Sequence, residues 1–214
     1  MKKISYIIIV SLCIMPFAVF AGSEIGYNNI QIDTSVIIDG ISNEDEIKSY
    51  NISINNINIL NIVYDVIHKY EPRDSYTTFR PSMVASTYYD GKAGKLFFNF
   101  IETELSEIII NEVKNILPEN ANIEFGYQKY SYNYLHEKAI KIMQSIEYSD
   151  KELQIKLLDK VHATGIDEYN NSVKIDIYSE EDIEYLNAYI ETVEKGLSEI
   201  VVYEVVEKTI LRRA

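Results

Sequence analysis

The period at which apolar residues recur along the chain changes twice from two residues to about 3.6. The segments "MVASTYYDGKAGKLFFNF", beginning at Met83, and "VHATGIDEYNNSVKIDIY", beginning at Val161, share one layout. Each has an apolar run, a turn that starts with Asp, and a strand in which apolar and polar residues alternate. Asp, Gly and Asn favour tight turns, and strict alternation is typical of a strand with one buried face. Each segment therefore predicts a β-hairpin.

A shift of 77 positions superposes the two hairpins without a gap. Thr87 then corresponds to Thr164, and Asp90 corresponds to Asp167. The shared order of elements favours an internal duplication, with chance similarity between common hairpins as the alternative. The apolar residues of the returning strands correspond in the same way, Leu96, Phe98 and Phe100 with Val173, Ile175 and Ile177.

A helix is predicted after each hairpin. In the first copy Thr103 suits the N-cap position and Pro118 is a stop signal. In the second copy "SEED" has the form of a capping box, in which Ser179 accepts a hydrogen bond from the backbone of Asp182 and the Asp182 carboxylate reaches back. Gly196 suits the C-terminal end of that helix.

Each copy closes with a further strand, because Ile, Val, Phe and Tyr crowd both segments. These strands are "NIEFGYQKY" from Asn122 and "EIVVYEVVE" from Glu199, and the 77-residue shift pairs Ile123 with Ile200. The fold class is therefore α+β. We predict two repeated strand-strand-helix-strand units, each a small three-stranded sheet with a helix packed on one face, plus connecting helices.

Helical spacing also predicts elements outside the two units. A helix begins near Asn56 and ends before Pro72, and two connecting helices start at the predicted caps Asn133 and Ser149, the latter with Glu152 as a capping box. The predicted organisation is residues 1–21, a signal peptide; 22–54, a polar and poorly ordered segment; 55–132, a helix plus the first unit; 133–160, connecting helices; and 161–214, the second unit.

The N-terminus has the three parts of a secretory signal. "MKK" is positive, "ISYIIIVSLCIMPFAVF" is apolar, and Val19-Phe20-Ala21 has the small-x-small form of a cleavage site. We predict cleavage after Ala21 and a secreted, periplasmic or cell-envelope location. An uncleaved anchor is the alternative, although the run is shorter than the roughly 20 residues of a membrane span and contains Pro16.

Charge and cysteine content narrow the class of protein further. The formal charge is −13, and it becomes −15 when Lys2 and Lys3 leave with the signal. A chain this acidic is unsuited to binding nucleic acid, where phosphates must be neutralised. Its one cysteine, Cys13, lies in the signal, so the exported chain must be held together by packing rather than by disulfides. We predict no transmembrane span after cleavage.

Two motifs resemble the prosegment of the alpha-lytic protease and streptogrisin family. "TGIDEYNNSVKIDIY", Thr164–Tyr178, is similar to the hairpin of that family, with Gly-Ile-Asp before the turn and then an Asn and an alternating strand. "YQKYSYNYLHEKA", Tyr127–Ala139, resembles the Tyr-Ser-Tyr-x-x-Leu lead into a helix of related bacterial secreted proteins. The resemblance spans roughly Ser82–Lys208.

The resemblance implies a protein that guides the folding of a serine peptidase and then inhibits it. This chain departs from the family pattern, since it runs to Ala214 without a peptidase domain or a "GDSGG"-type segment. The expectation is therefore a detached prosegment that acts in trans on a peptidase, or the same scaffold adapted to another binding role.

No motif predicts catalysis or metal binding. His68, His136 and His162 have no His or Cys at metal-ligand spacing, and no Ser lies in a Gly-x-Ser-x-Gly context. We therefore predict a non-enzymatic protein without metal or cofactor. A hydrolase with dispersed acidic residues is a remote alternative, because carboxylate pairs for glycoside hydrolysis leave no local pattern.

Candidate binding residues lie on the last strand and in a tyrosine-rich segment. An outer strand can accept an extended peptide through its main chain, so Val201, Tyr203 and Val205 are peptide-binding candidates. Tyr130 and Tyr132 are aromatic surface candidates, with a place in the core as the alternative. We predict a secreted binding protein, a prosegment-like chaperone or inhibitor whose partner is an extracellular peptidase or another protein. A structural or cell-envelope-associated protein without a catalytic role is the alternative.

Overall fold

The computed structural model describes residues 44–72 and 80–207. The predicted signal peptide and its cleavage site lie outside these residues. The described part forms five α-helices and six strands, and all six strands belong to one compact body, Ser49–Ala214. In chain order the elements are α1 (Glu44–Tyr70), β1 (Val84–Asp90), β2 (Lys95–Phe100), α2 (Glu104–Ile116), β3 (Ile123–Tyr127), α3 (Tyr132–Glu147), α4 (Lys151–Leu158), β4 (Val161–Asp167), β5 (Ser172–Ile177), α5 (Ile183–Val193) and β6 (Val201–Val205).

Helix α1 begins earlier than predicted. Its first residue is Glu44, so the prediction that residues 44–54 are poorly ordered is wrong, and residues 22–43 lie outside the described part. The N-terminal half of α1 is rich in Asn and weakly amphipathic. Apolar periodicity, on which the prediction depended, therefore had little signal there.

The two sheets have the same topology. Their strand orders are β1-β2-β3 and β4-β5-β6, and in each sheet the first pair is antiparallel and the second pair parallel. A parallel pair needs a crossover connection, which α2 supplies in the first sheet and α5 in the second. The predicted α+β class with two similar units is confirmed.

The repeat holds in the details of the hairpins. The 77-residue shift carries the bounds of β1 onto β4 and those of β2 onto β5. Both hairpins have a register irregularity at the same place, between Val84 and Ser86 and between Val161 and Ala163. Inner-face residues of the central strands are buried in both copies, namely Leu96, Phe98 and Phe100 in β2 and Val173, Ile175 and Ile177 in β5.

The closing strands require a shift of 78. Ile123 pairs with Leu96, and Val201 pairs with Val173, so Ile123 corresponds to Val201 and the predicted match with Ile200 is wrong. The connection after α5 is one residue longer than the connection after α2. Gly196 adopts the left-handed conformation there, with φ 81°, and begins a 3₁₀ turn, Leu197–Ile200, that places Ile200 in the core.

Each repeat also includes the helix before its hairpin. Helix α1 ends at Tyr70 and α3 ends 77 positions later at Glu147. A shift of 76 carries the buried face of α1 onto that of α3, Ile59, Val63 and Val66 onto Leu135, Ala139 and Ile142. We call α1 to β3 the first repeat and α3 to β6 the second repeat. Each repeat has its own hydrophobic core beneath its sheet.

The predicted caps of the crossover helices had different outcomes. Thr103 is the N-cap of α2, as predicted. The Ser179 hydroxyl accepts from the backbone N–H of Glu181, not from that of Asp182. The Asp182 carboxylate pairs with Lys160 and does not reach back. A tertiary ion pair here replaces the local capping box.

The connecting helices are capped one or two residues away from the predicted positions. Ser131 caps α3 and Asp150 caps α4, so Asn133 is not an N-cap and the predicted box of Ser149 and Glu152 does not form. All of these residues can cap a helix, and the choice among neighbours depends on where the chain turns. Within residues 44–72 and 80–207, no helix is both long and apolar enough to cross a bilayer.

Candidate functional site

A groove of about 290 Å³ lies between α3 and the outer edge of β4. Strand β4 is an outer strand of its sheet, so one side of its backbone pairs with no other strand of the described residues. Three consecutive residues of β4 line the groove although strand side chains alternate between faces, which means that the groove contacts the strand edge. The lining residues are Tyr132, His136, Ala139, Ile140, Met143 and Gln144 on α3, Thr164, Gly165 and Ile166 on β4, and Glu168.

The backbone of Thr164 offers a hydrogen-bond donor to this groove. At the corresponding position of β1, the Thr87 N–H points away from β2 and donates to the Glu168 carboxylate at 2.6 Å. Because the two hairpins share one register, the Thr164 N–H points away from β5 in the same way. Among residues 44–72 and 80–207 this N–H has no partner, and the buried Thr164 Oγ1 has none either.

Apolar and polarisable side chains line the opposite wall of the groove. Ile140 is 42% exposed and Met143 is 47% exposed, and both lie on the stripe of α3 that faces β4. Met is a flexible side chain that adapts to varied apolar partners. An outer strand beside such a wall can hold an extended polypeptide through main-chain hydrogen bonds and apolar side-chain contacts.

The first repeat fills the corresponding space from within. Tyr64 on α1 corresponds to Ile140 at the 76-residue shift that superposes the buried helix faces. Its ring packs edge-on against Phe98, with ring centroids 5.6 Å apart, and burial raises the pKa of its hydroxyl. Glu168 caps the edge of β1 at Thr87. The second repeat has the smaller Ile140 at this position, and no residue among 44–72 and 80–207 caps the edge of β4 as Glu168 caps that of β1.

Glu168, one of the residues that line the groove, forms a largely buried ion pair with Arg80. Two nitrogens of the Arg80 guanidinium donate to the two carboxylate oxygens of Glu168, both at 2.8 Å. The side chains are 15% and 22% exposed. The guanidinium also lies 3.7 Å from the centroid of the Tyr132 ring, a cation–π contact. Burial lowers the pKa of Arg80, but the hydrogen bonds and charge of Glu168 outweigh this effect and raise it.

A second polar contact holds the turn between β4 and β5, to which Glu168 also belongs. The Tyr130 N–H donates to Asn171 Oδ1 at 2.8 Å, and Asn171 Nδ2 donates to the Tyr130 carbonyl at 2.8 Å. Asn171 has a φ of 51°, a left-handed conformation that Asn tolerates better than most residues. The turn between β4 and β5 is therefore held by two hydrogen-bonded side chains, Glu168 against the first repeat and Asn171 against the connection between β3 and α3.

The predicted peptide-binding residues lie on the other outer strand of the second sheet. Val201 and Tyr203 pack against the core of the second repeat, and Val205 is 49% exposed. The Tyr203 hydroxyl donates to Asn187 at 2.8 Å, and burial raises its pKa to about 12. Of the three predicted side chains, that of Val205 is the exposed one, and Val201 and Tyr203 are partly buried.

The two predicted surface tyrosines face different depressions. Tyr132 lines the α3–β4 groove beneath Arg80. Tyr130 stacks on Tyr134, with ring centroids 5.2 Å apart, and lines a more open depression of about 650 Å³ together with Lys129. The structure therefore brings only Tyr132 to the groove.

The groove between α3 and β4 was not predicted from the sequence. Two features would have indicated it. One is the outer position of β4, which depends on strand pairing. The other is the presence of Ile140 where the first repeat has Tyr64, which is seen only when the helices are superposed at a shift of 76. Within the described ranges, no group of three or more His, Asp or Glu is arranged to hold a metal ion.

Comparison with known proteins identified no relative of this chain. No family model, no curated protein and no solved structure matches the chain. The resemblance to peptidase prosegments rests on the two motifs quoted above and stays a prediction.

Proposed function

We propose that this protein is a secreted, non-enzymatic binding protein that holds an extended segment of a partner protein along the outer edge of β4. Secretion rests on the signal-peptide pattern of residues 1–21. An extracellular peptidase is the partner class that the prosegment-like motifs favour.

The main support for this proposal is that the outer edge of β4 lies beside the apolar wall of α3. In the part of the chain that the structure describes, the Thr164 N–H has no hydrogen-bond partner, and Ile140 and Met143 line the groove beside it. An unpaired edge is a template for pairing with another chain, and proteins commonly protect such edges. Here Glu168 protects the equivalent edge of β1, whereas none of the described residues caps the edge of β4 in this way.

The first repeat supplies the variant that tests this proposal. Ile140→Tyr places in the second repeat the ring that Tyr64 provides in the first, and so fills the groove without breaking the fold. Peptides selected from a random displayed library for binding to the wild-type protein are the probe, with Kd measured by calorimetry. We expect Ile140→Tyr to weaken binding at least 10-fold.

The matched control is Ile108→Tyr, which makes the same change on α2 at a residue that is 52% exposed. This variant is expected to bind as the wild type does. Selection of no peptide from the library, or equal Kd values for the two variants, would exclude the groove as a binding site. Slowed cleavage of a chromogenic substrate by an extracellular serine peptidase, lost with Ile140→Tyr, would identify the partner class.

A further inference from the structure

Two residues that line the groove stand where the first repeat has tyrosines. Ile140 corresponds to Tyr64 at the 76-residue shift of the helices, and Gly165 corresponds to Tyr88 at the 77-residue shift of the hairpins. A Cβ at Gly165 would meet no atom of the described residues within 4 Å. At both positions the second repeat therefore lacks an aromatic ring that the first repeat contains.

The face of α3 that borders the groove is covered at the corresponding place in the first repeat. Met143 is 47% exposed, whereas Ile67, its counterpart on α1, is completely buried. Ile140 is 42% exposed, whereas the ring of Tyr64 packs edge-on against Phe98 in the first core. Apolar surface that one repeat buries and the other exposes favours burial against a partner.

The walls of the groove suit an aromatic ring. Met143, Tyr132 and His136 line it, and the rings of Tyr132 and His136 are stacked, with centroids 6.0 Å apart. Sulfur–aromatic contacts and offset or edge-on contacts between rings are both favourable. The groove volume of about 290 Å³ exceeds the roughly 150 Å³ in which an apolar protein cavity binds benzene. An aromatic side chain therefore fits the groove in size and in chemistry.

We propose that the segment bound along β4 places an aromatic side chain, Phe or Tyr, in the groove, as the first repeat places the ring of Tyr64. This inference rests on the proposed function and specifies its ligand. A strand added at a sheet edge gains affinity from main-chain hydrogen bonds and specificity from pockets that take alternate side chains. The groove is such a pocket, and the aromatic ring is the part that the partner supplies.

The sequences of the library-selected peptides give the first test, and we expect Phe or Tyr at one shared position. One selected peptide is then made in three forms, with Phe, Leu or Ala at this position, and the Kd of each form is measured by calorimetry. The Phe form should bind the wild-type protein about 30-fold more tightly than the Ala form, because it buries a whole ring. It should bind about 5-fold more tightly than the Leu form, because a ring adds contacts with Met143 and Tyr132 that Leu does not make.

The variant Ile140→Tyr supplies a ring in the groove from the protein itself, so this ring and the ring of the peptide should exclude each other. We expect the Phe-to-Ala ratio of affinities to fall to about 3-fold or less in Ile140→Tyr, and to stay at about 30-fold in the control Ile108→Tyr.

Selected peptides without a shared aromatic position, or equal Kd values for the three forms, would overturn the aromatic inference and leave the proposed function standing. A Phe-to-Ala ratio that Ile140→Tyr leaves unchanged would also overturn it, because the ring would then bind elsewhere. A wild-type dimer that becomes a monomer with Ile140→Tyr would assign the groove to a second copy of this chain and overturn it as well. Selection of no peptide would overturn the inference and the proposed function together.

Discussion

Glu168 accepts three hydrogen bonds from residues of the first repeat. Two come from the guanidinium of Arg80 and one from the backbone N–H of Thr87. Both charged side chains are largely buried, so each depends on the other for its solvation. Removal of one partner from such a pair leaves a charge that neither water nor the protein satisfies.

We therefore expect Glu168→Gln to lower the free energy of unfolding by about 3 kcal/mol, since it removes the charge and keeps the side-chain size. Urea unfolding followed by circular dichroism gives this value. Glu152→Gln is the control, because Glu152 pairs with Lys156 on the exposed surface of α4 and should cost about 0.5 kcal/mol or less. Equal destabilisation by the two changes would contradict the role assigned to Glu168.

Gly126 is required by a neighbouring side chain. A Cβ at this position would lie 2.5 Å from Asn99 Oδ1, and Asn99 is buried with its amide donating to Ser86. In the second repeat the corresponding pair is Asp176 and Glu204, so a side chain is accommodated there.

We expect Gly126→Ala to destabilise the protein by roughly 1–3 kcal/mol through overpacking. The cost should be smaller in an Asn99→Ala background, where the clashing atom is absent. Chemical denaturation of the two single variants and the double variant measures this coupling. An unchanged cost in the two backgrounds would show that Asn99 is not the obstacle.

At the scale of elements, strand β6 is anchored through Tyr203. Burial raises the pKa of this hydroxyl to about 12, so the folded protein binds its proton more tightly than the unfolded chain, where Tyr has a pKa of about 10. The stabilisation is fully present below pH 10 and is lost as the pH rises towards 12.

We expect Tyr203→Phe to lower stability at pH 7 by about 1 kcal/mol, because the hydrogen bond to Asn187 is lost. The same change should make the decline of Tm between pH 10 and 12 shallower than in the wild type. Thermal unfolding across this pH range measures both effects. A variant that declines as steeply as the wild type would mean that Tyr203 does not titrate in this way.

Elements and their order were predictable because their signals are local. Alternation marks β2 and β5, and the Asp-led turns mark both hairpins. The predicted match of Ile123 with Ile200 was one residue out of register, because the extra residue before β6 does not change the spacing of apolar residues. The capping box at Ser179 failed because the Asp182 carboxylate has a tertiary partner, Lys160, that lies far from it in sequence.

At the scale of the whole molecule, the two similar repeats differ in what lies beside the same strand edge. At the edge of β1 the Thr87 N–H donates to Glu168 of the second repeat, and Tyr64 fills the space beside this edge. The edge of β4 is left beside a groove. The sequence predicted the closing strand, β6, as the binding element, and β6 is the other outer strand of this sheet. That β4 is also an outer strand could not be predicted, because strand order depends on long-range pairing.

Binding of an extended segment at the edge of β4 is tested most directly by backbone amide exchange. In antiparallel pairing, alternate residues direct their N–H to the same side, so the N–H groups of Thr164 and Ile166 both face the groove. Hydrogen exchange of these two amides is measured by NMR, with and without the tightest selected peptide. We expect slower exchange at Thr164 and Ile166 when the peptide is bound. Unchanged exchange there, with protection along β6 or beside Tyr130, would contradict it.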